Sequence, residues 1–130
     1  MAVRSAKELA VYAKAYALAM RVFELTKRFP TEERYALTCQ IRRSSRSVCM
    51  NLREAWAKRM YPAHFFSKLT DCDGELNETA TSIDFACDCQ YITADEYAGL
   101  VVAVEEVGKM LGGMLRNPNP FLISRPEWAG

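Results

Sequence analysis

Apolar residues recur along this chain at spacings of three and four, the period of helices that bury one side. The first such segment, about Lys7 to Arg28, carries two stripes. One runs Leu9, Tyr12, Tyr16, Ala19, Phe23 and the other Val11, Leu18, Val22, Leu25. Two stripes make a wide apolar face, which predicts contact with more than one neighbour. Phe29-Pro30-Thr31 interrupts the pattern, because proline lacks an amide donor and Thr31 suits a helix cap. A second helix is predicted from Thr31 to about Arg59, with Glu32 and Glu33 in its first turn, where the helix dipole favours acids. Its inward residues are Leu37, Ile41, Ser45, Val48, Leu52 and Ala55.

Pro62, after Tyr61, suits the first position of a third helix. Phe65, Leu69, Cys72, Leu76, Thr79, Ile83 and Ala86 then alternate by four and three without a break, the pattern of bundle packing, ending near Gln90. Thr93-Ala94-Asp95-Glu96 reads as a capping box that opens a fourth helix, with Tyr97, Leu100, Val104, Val107, Leu111 and Met114 inward. Gly108, Gly112 and Gly113 each cost this helix about 1 kcal/mol relative to alanine, which predicts close approach of a neighbouring helix. No segment reads as a strand or a repeat. Long helices with short connections predict an all-α, antiparallel up-and-down four-helix bundle over residues 1–116. A Pro/Asn-rich tail, residues 117–130, follows, and its Phe121-Leu122-Ile123 either packs on a neighbour or stays loose.

The chain has 130 residues, half of them hydrophobic and a quarter charged, which is the composition of one globular domain. No apolar run reaches the roughly 18–20 residues that span a bilayer. The opening residues lack the apolar core of a secretory signal, so a cytoplasmic address is expected and no membrane partner. The five cysteines, Cys39, Cys49, Cys72, Cys87 and Cys89, fit that compartment as small hydrophobes. Cys87-Asp88-Cys89 has no second cysteine pair and His64 is the single histidine, so neither a zinc site nor another metal or cofactor is implied.

The net charge of +1 conceals a division. Residues 1–60 hold 13 Lys/Arg against 5 Asp/Glu, a net +8, and residues 61–130 hold 4 against 11, a net −7. Separated charge of this kind favours pairing of unlike surfaces, within a chain or between copies. The densest basic run lies in the second helix: Arg42, Arg43 and Arg46, continued by Arg53, Lys58 and Arg59. Arg42, Arg46 and Arg53 share one face, and arginine matches phosphate geometry, so this stripe is the candidate nucleic-acid contact. The competing use is pairing with Asp71, Glu75 and Glu78 of the third helix, within or between subunits. Asn51 reads as a structural hydrogen-bonding residue, and Trp56 and Trp128 as packing residues. No catalytic residues can be assembled: His64 has no nucleophile or carboxylate at a motif spacing, no Glu-x-x-His pair occurs, and Gly112-Gly113 lies in a helix rather than after a strand.

Ala15-Tyr16-Ala17-Leu18, Val22-Phe23-Glu24-Leu25-Thr26-Lys27-Arg28-Phe29-Pro30 and Glu33-Arg34-Tyr35-Ala36-Leu37-Thr38-Cys39-Gln40-Ile41-Arg42-Arg43 carry a family resemblance. It continues through Ser47, Asn51, Glu54, Gly74-Glu75-Leu76, Glu78 and Gln90-Tyr91-Ile92, covering about residues 8 to 116. The chain resembles the four-helix bundle proteins encoded in intervening sequences of bacterial large-subunit ribosomal RNA genes. These are similar in fold to the accessory variability determinant protein of diversity-generating retroelements. The resemblance implies a non-enzymatic homo-oligomeric ring, typically a pentamer. Its implied partners are RNA or DNA, and a reverse-transcriptase-like or other protein. The alternative is a purely protein-binding oligomer whose basic second-helix face is used in subunit contacts. Two departures stand out: Asn51-Leu52-Arg53-Glu54-Ala55 replaces the family's Asn-Ile-Ala-Glu-Gly, and Asp71-Cys72-Asp73 replaces small residues before Gly74.

Overall fold

A computed structural model describes residues 3–124. Four α-helices make up most of the described residues: α1 (Ala10–Thr26), α2 (Leu37–Ala57), α3 (Pro62–Asp88) and α4 (Ala94–Arg116). Each packs on the next and α1 closes against α4, so the helices form an antiparallel four-helix bundle with α1–α2 on one side and α3–α4 opposite. No strand occurs among the described residues.

The core follows the heptad pattern most closely in α3, where all seven residues from Phe65 to Ala86 are buried. All six expected inward residues of α2 are buried too, and Thr38, Ser44 and Cys49 join them. Each buried Val, Leu, Ile or Phe contributes about 1.5–3 kcal/mol, so these faces dominate the bundle's stability. In α1 the second stripe is the true core face, through Val11, Leu18 and Val22. The first stripe is only partly covered, and Tyr16 stays 54% exposed.

The helix ends differ from expectation in two places. Residues Ala6–Glu8 form a separate 3-10 turn, because Leu9 is extended and buries its side chain before α1 begins. Thr31–Glu33 is likewise a 3-10 turn in which Thr31 makes no capping hydrogen bond, and α2 starts only at Leu37. There the Glu33 carboxylate accepts from the Leu37 amide at 3.3 Å and from the Tyr91 hydroxyl at 2.8 Å. An acid does serve the helix N-terminus, but from outside the helix and tied to the α3–α4 connection. Holding Glu33 pushes the Tyr91 phenol up to about 12.

Pro62 opens α3 as expected, and Thr93 and Glu96 form the capping box of α4, at 3.1 Å and 2.9 Å. The second oxygen of Glu96 takes Arg28 at 2.6 Å, linking the end of α1 to the start of α4. At the end of α3 the Tyr91 amide reaches Ala86 O and the Gln90 amide reaches Cys87 O, both at 2.9 Å. This is a Schellman termination, and it puts Gln90 at φ 63°, a left-handed conformation usually given to glycine.

Gly108, Gly112 and Gly113 do not mark close helix contact. A Cβ on Gly108 would meet Leu76 at an ordinary 3.6 Å, one on Gly112 would meet only the Arg116 side chain, and one on Gly113 would meet open space. The tight position is Gly99, where a Cβ would lie 2.5 Å from the Arg21 guanidinium. The tail returns to its own bundle: Phe121 stacks on Phe65 at 6.4 Å and the Ile123 amide donates to Arg59 O at 3.2 Å. Leu122 packs with Phe121, whereas Ile123 is exposed. Trp56 packs against the core as expected, and Trp128 lies outside the described residues.

Candidate nucleic-acid interface

The six basic residues of α2 and its end do not form one surface. Arg43 turns toward α3, where it meets Glu78 at 2.7 Å and Glu75 at 3.2 Å. The Arg43 hydrogen bond holds the Glu78 carboxyl below the usual range, while burial and its neighbour Glu78 push Glu75 up. Asp71 takes no part in this cluster and pairs instead with Lys68, which also binds Glu54. Asn51 donates back to Ser47 within α2, so its contacts are local.

Arg42, Arg46 and Arg53 turn the other way, over α1. Arg42 lies 4.9 Å and Arg46 5.7 Å from the centre of the Phe23 ring. Arg53 lies 5.3 Å from the Tyr12 ring. Arg42 Nε donates to Thr26 Oγ1 at 2.7 Å, and Arg53 Nε donates to the Tyr12 hydroxyl at 3.2 Å. Arg59 repeats the arrangement at the end of α2, 3.5 Å over Trp56 with its Nε on Trp56 O at 2.8 Å. Lys58 is exposed beside it.

In Arg42, Arg53 and Arg59 an aromatic face and an Nε contact fix the stem while the terminal nitrogens stay available. A guanidinium held this way loses less freedom when it binds an oxyanion. Among the described residues no carboxylate forms an ion pair with Arg42, Arg46, Arg53, Lys58 or Arg59.

The aromatic platforms were not visible as such in the sequence. Tyr12, Tyr16 and Phe23 read as core because of their spacing, yet Tyr16 is exposed, and Tyr12 and Phe23 are only partly covered, with arginines over their rings. Between α1 and α2, Tyr12 and Tyr16 border a groove of about 300 Å³ that Ala19, Met20, Arg46, Cys49, Met50 and Arg53 complete.

Other reactive side chains are dispersed. Burial pushes the thiols of Cys49 and Cys72 up to about 11 and about 12, so both remain protonated, and Cys72 points at Val48 O. All five cysteines are free, with Cys39 and Cys89 exposed. His64 is exposed in the first turn of α3 and its ring meets Tyr61 edge-on at 6.0 Å. Among the described residues no cluster of three or more His, Cys, Asp or Glu could hold a metal, and no helix is long and apolar enough to cross a membrane.

The profile of the 23S rRNA-intervening sequence proteins matches residues 7–113. The chain belongs to that family. Among solved structures it is similar to a protein of unknown function from the S23 ribosomal protein family of Bacteroides thetaiotaomicron. The two are 28% identical with a TM-score of 0.75, over 83% of this chain and all of the other. No curated protein matches. Membership in the intervening sequence family carries the bundle, and the α1–α2 arginines must be read from this chain's own geometry.

Proposed function

We propose that this chain is a non-enzymatic, ring-forming assembly protein that binds the nucleic-acid backbone through the α1–α2 face. Arg42, Arg46 and Arg53 are the central contacts, with Lys58 and Arg59 extending the stripe. The observation that carries this reading is the division of the arginines. Arg43 alone is neutralised by Glu75 and Glu78, whereas Arg42, Arg46 and Arg53 rest on aromatic rings without an acid partner.

Ring formation rests on the family resemblance and on unlike faces. Exposed Asp84, Asp88, Asp95 and Glu105 lie on α3, α4 and their junction, across the bundle from the basic side. Unlike faces suit head-to-tail contacts, which close into rings. Five subunits is the number the resemblance supplies. A ring repeats the arginine stripe, so modest contacts add through multivalency. Backbone contacts read charge rather than sequence, so little sequence preference is expected.

A second reading is favoured by the Arg43–Glu78 pair, which gives a precedent for acids of α3 neutralising α2. In that reading the arginine stripe is spent on a neighbouring subunit and the protein binds only protein. Light scattering combined with titration of labelled RNA and DNA at low and moderate salt separates the two. Oligomer-sized particles that bind at low salt and release at moderate salt support the proposal. An intact oligomer that binds neither nucleic acid at low salt supports the protein-only reading, and a stable monomer overturns the ring.

A further inference from the structure

We infer that the groove between α1 and α2 seats an unpaired nucleobase, so that this face takes single-stranded nucleic acid in preference to duplex. The inference rests on the reading above that the face binds nucleic acid, and it names the form of the ligand.

The groove's chemistry has two parts. Its walls are apolar and open: Tyr16 is 54%, Met20 45% and Met50 66% exposed, and Tyr12 stands beside Tyr16 with ring centres 6.1 Å apart and planes tilted by 30°. Its charge is purely positive, because Arg46 and Arg53 line it and no carboxylate does. Cys49, also in the lining, is held as the neutral thiol by burial. An occupant that satisfies both parts is an anion carrying a flat, partly apolar surface, and a nucleotide is such a group.

Arg46 and Arg53 are seven residues apart on α2, roughly 10 Å along the helix axis. A strand whose phosphates meet both forks crosses the mouth of the groove between them. An unpaired base on that strand can turn inward to stack on Tyr16 and contact Met50. A duplex keeps its bases paired and stacked and offers the same arginines only phosphate. Positive grooves bordered by exposed aromatic rings are the usual means of holding single strands without sequence preference. Tyr16 fits this use because it falls on the heptad pattern of α1 and yet remains outside the core.

The test uses the whole oligomer and four probes of equal length: single-stranded RNA, single-stranded DNA, an abasic single strand and a blunt duplex. Either natural single strand should bind at least several-fold more tightly than both the abasic strand and the duplex. Tyr16→Ala should weaken single-strand binding roughly 5- to 150-fold, the range for loss of one stacked base, and leave duplex binding unchanged. Tyr16→Phe should retain most of the affinity, and Met50→Ala gives a second variant at an exposed position.

Equal binding of all four probes, unaffected by Tyr16→Ala, overturns this inference while leaving backbone binding intact. Failure of every probe at low salt overturns the backbone reading itself. Dissociation of the oligomer by Tyr16→Ala assigns the groove to a second copy of the chain and overturns the inference as well.

Discussion

The Arg53 guanidinium lies over the Tyr12 ring and gives its Nε hydrogen to the hydroxyl of the same tyrosine, 41 residues away in sequence. One side chain of α1 thereby fixes both the plane and the rotation of the guanidinium. Lysine can keep the charge but neither the stacking nor the Nε contact. Arg53→Lys should therefore weaken nucleic-acid binding nearly as much as Arg53→Ala, with little change in melting temperature. Fluorescence anisotropy with a labelled strand, alongside a thermal melt, checks this. Full affinity in Arg53→Lys would reduce the residue to a simple charge.

Within the core, Ser44 and Thr79 join α2 to α3 by a hydroxyl contact of 2.8 Å. Either hydroxyl can donate to the other, and Thr79 Oγ1 also lies 2.9 Å from Glu75 O. Each group keeps a backbone alternative, since Ser44 also lies 3.4 Å from Ile41 O. Ser44→Ala and Thr79→Val should each cost about 1 kcal/mol, and the double variant should cost less than their sum. Denaturant unfolding of the full cycle measures the difference. Strict additivity would mean that the contact contributes nothing.

Gln90 occupies the left-handed position of the Schellman turn at the end of α3. A side chain there costs about 1–2 kcal/mol that glycine avoids, partly offset by glycine's greater freedom in the unfolded chain. Gln90→Gly should raise stability by about 0.5–1 kcal/mol without altering assembly. Unfolding midpoints decide it, and a lower midpoint would show that the Gln90 side chain contributes more than the backbone loses.

Glu96 is held below the ordinary carboxylate range, first by the Arg28 hydrogen bond and then by the Thr93 amide. A depressed folded value means that the ionised form favours folding. Its contribution is complete above the unfolded carboxylate value of about 4.3 and is lost as pH falls through the lower folded value. Melting temperatures across the acid range should fall less steeply in Glu96→Gln than in the parent protein. An identical acid limb in the two would remove Glu96 from the account.

The legible parts of this fold were those set by local pattern. The seven-residue stripe of α3 and the Thr93–Glu96 box needed no partner to be read, and both stand where the spacing put them. Thr31-Glu32-Glu33 misled because it has the chemistry of a helix start. Ala36 is non-helical and Glu33 is held by Tyr91 from afar, so α2 starts six residues later, at Leu37. Tyr16 misled because periodicity cannot tell a helix face that meets the core from one that borders a groove. Arg42, Arg46 and Arg53 could be placed on one face from spacing alone. Their aromatic supports on α1 could not, since these depend on how two helices rotate against each other. Gln90 carried no glycine signal, and Gly99 sits under Arg21 for a reason that only the packed helices reveal.

In the proposed function the arginines over α1 hold nucleic-acid phosphates in an intact oligomer. The salt dependence of binding measures this directly, because each phosphate contact releases counterions and contributes about 0.7–0.9 to the log–log slope. Arg46→Ala combined with Arg53→Ala should lower the slope by about 1.4–1.8 per engaged subunit and weaken binding while the oligomer stays whole. An unchanged slope and affinity in the double variant, or no binding by the parent oligomer at low salt, would show that these arginines hold no phosphate.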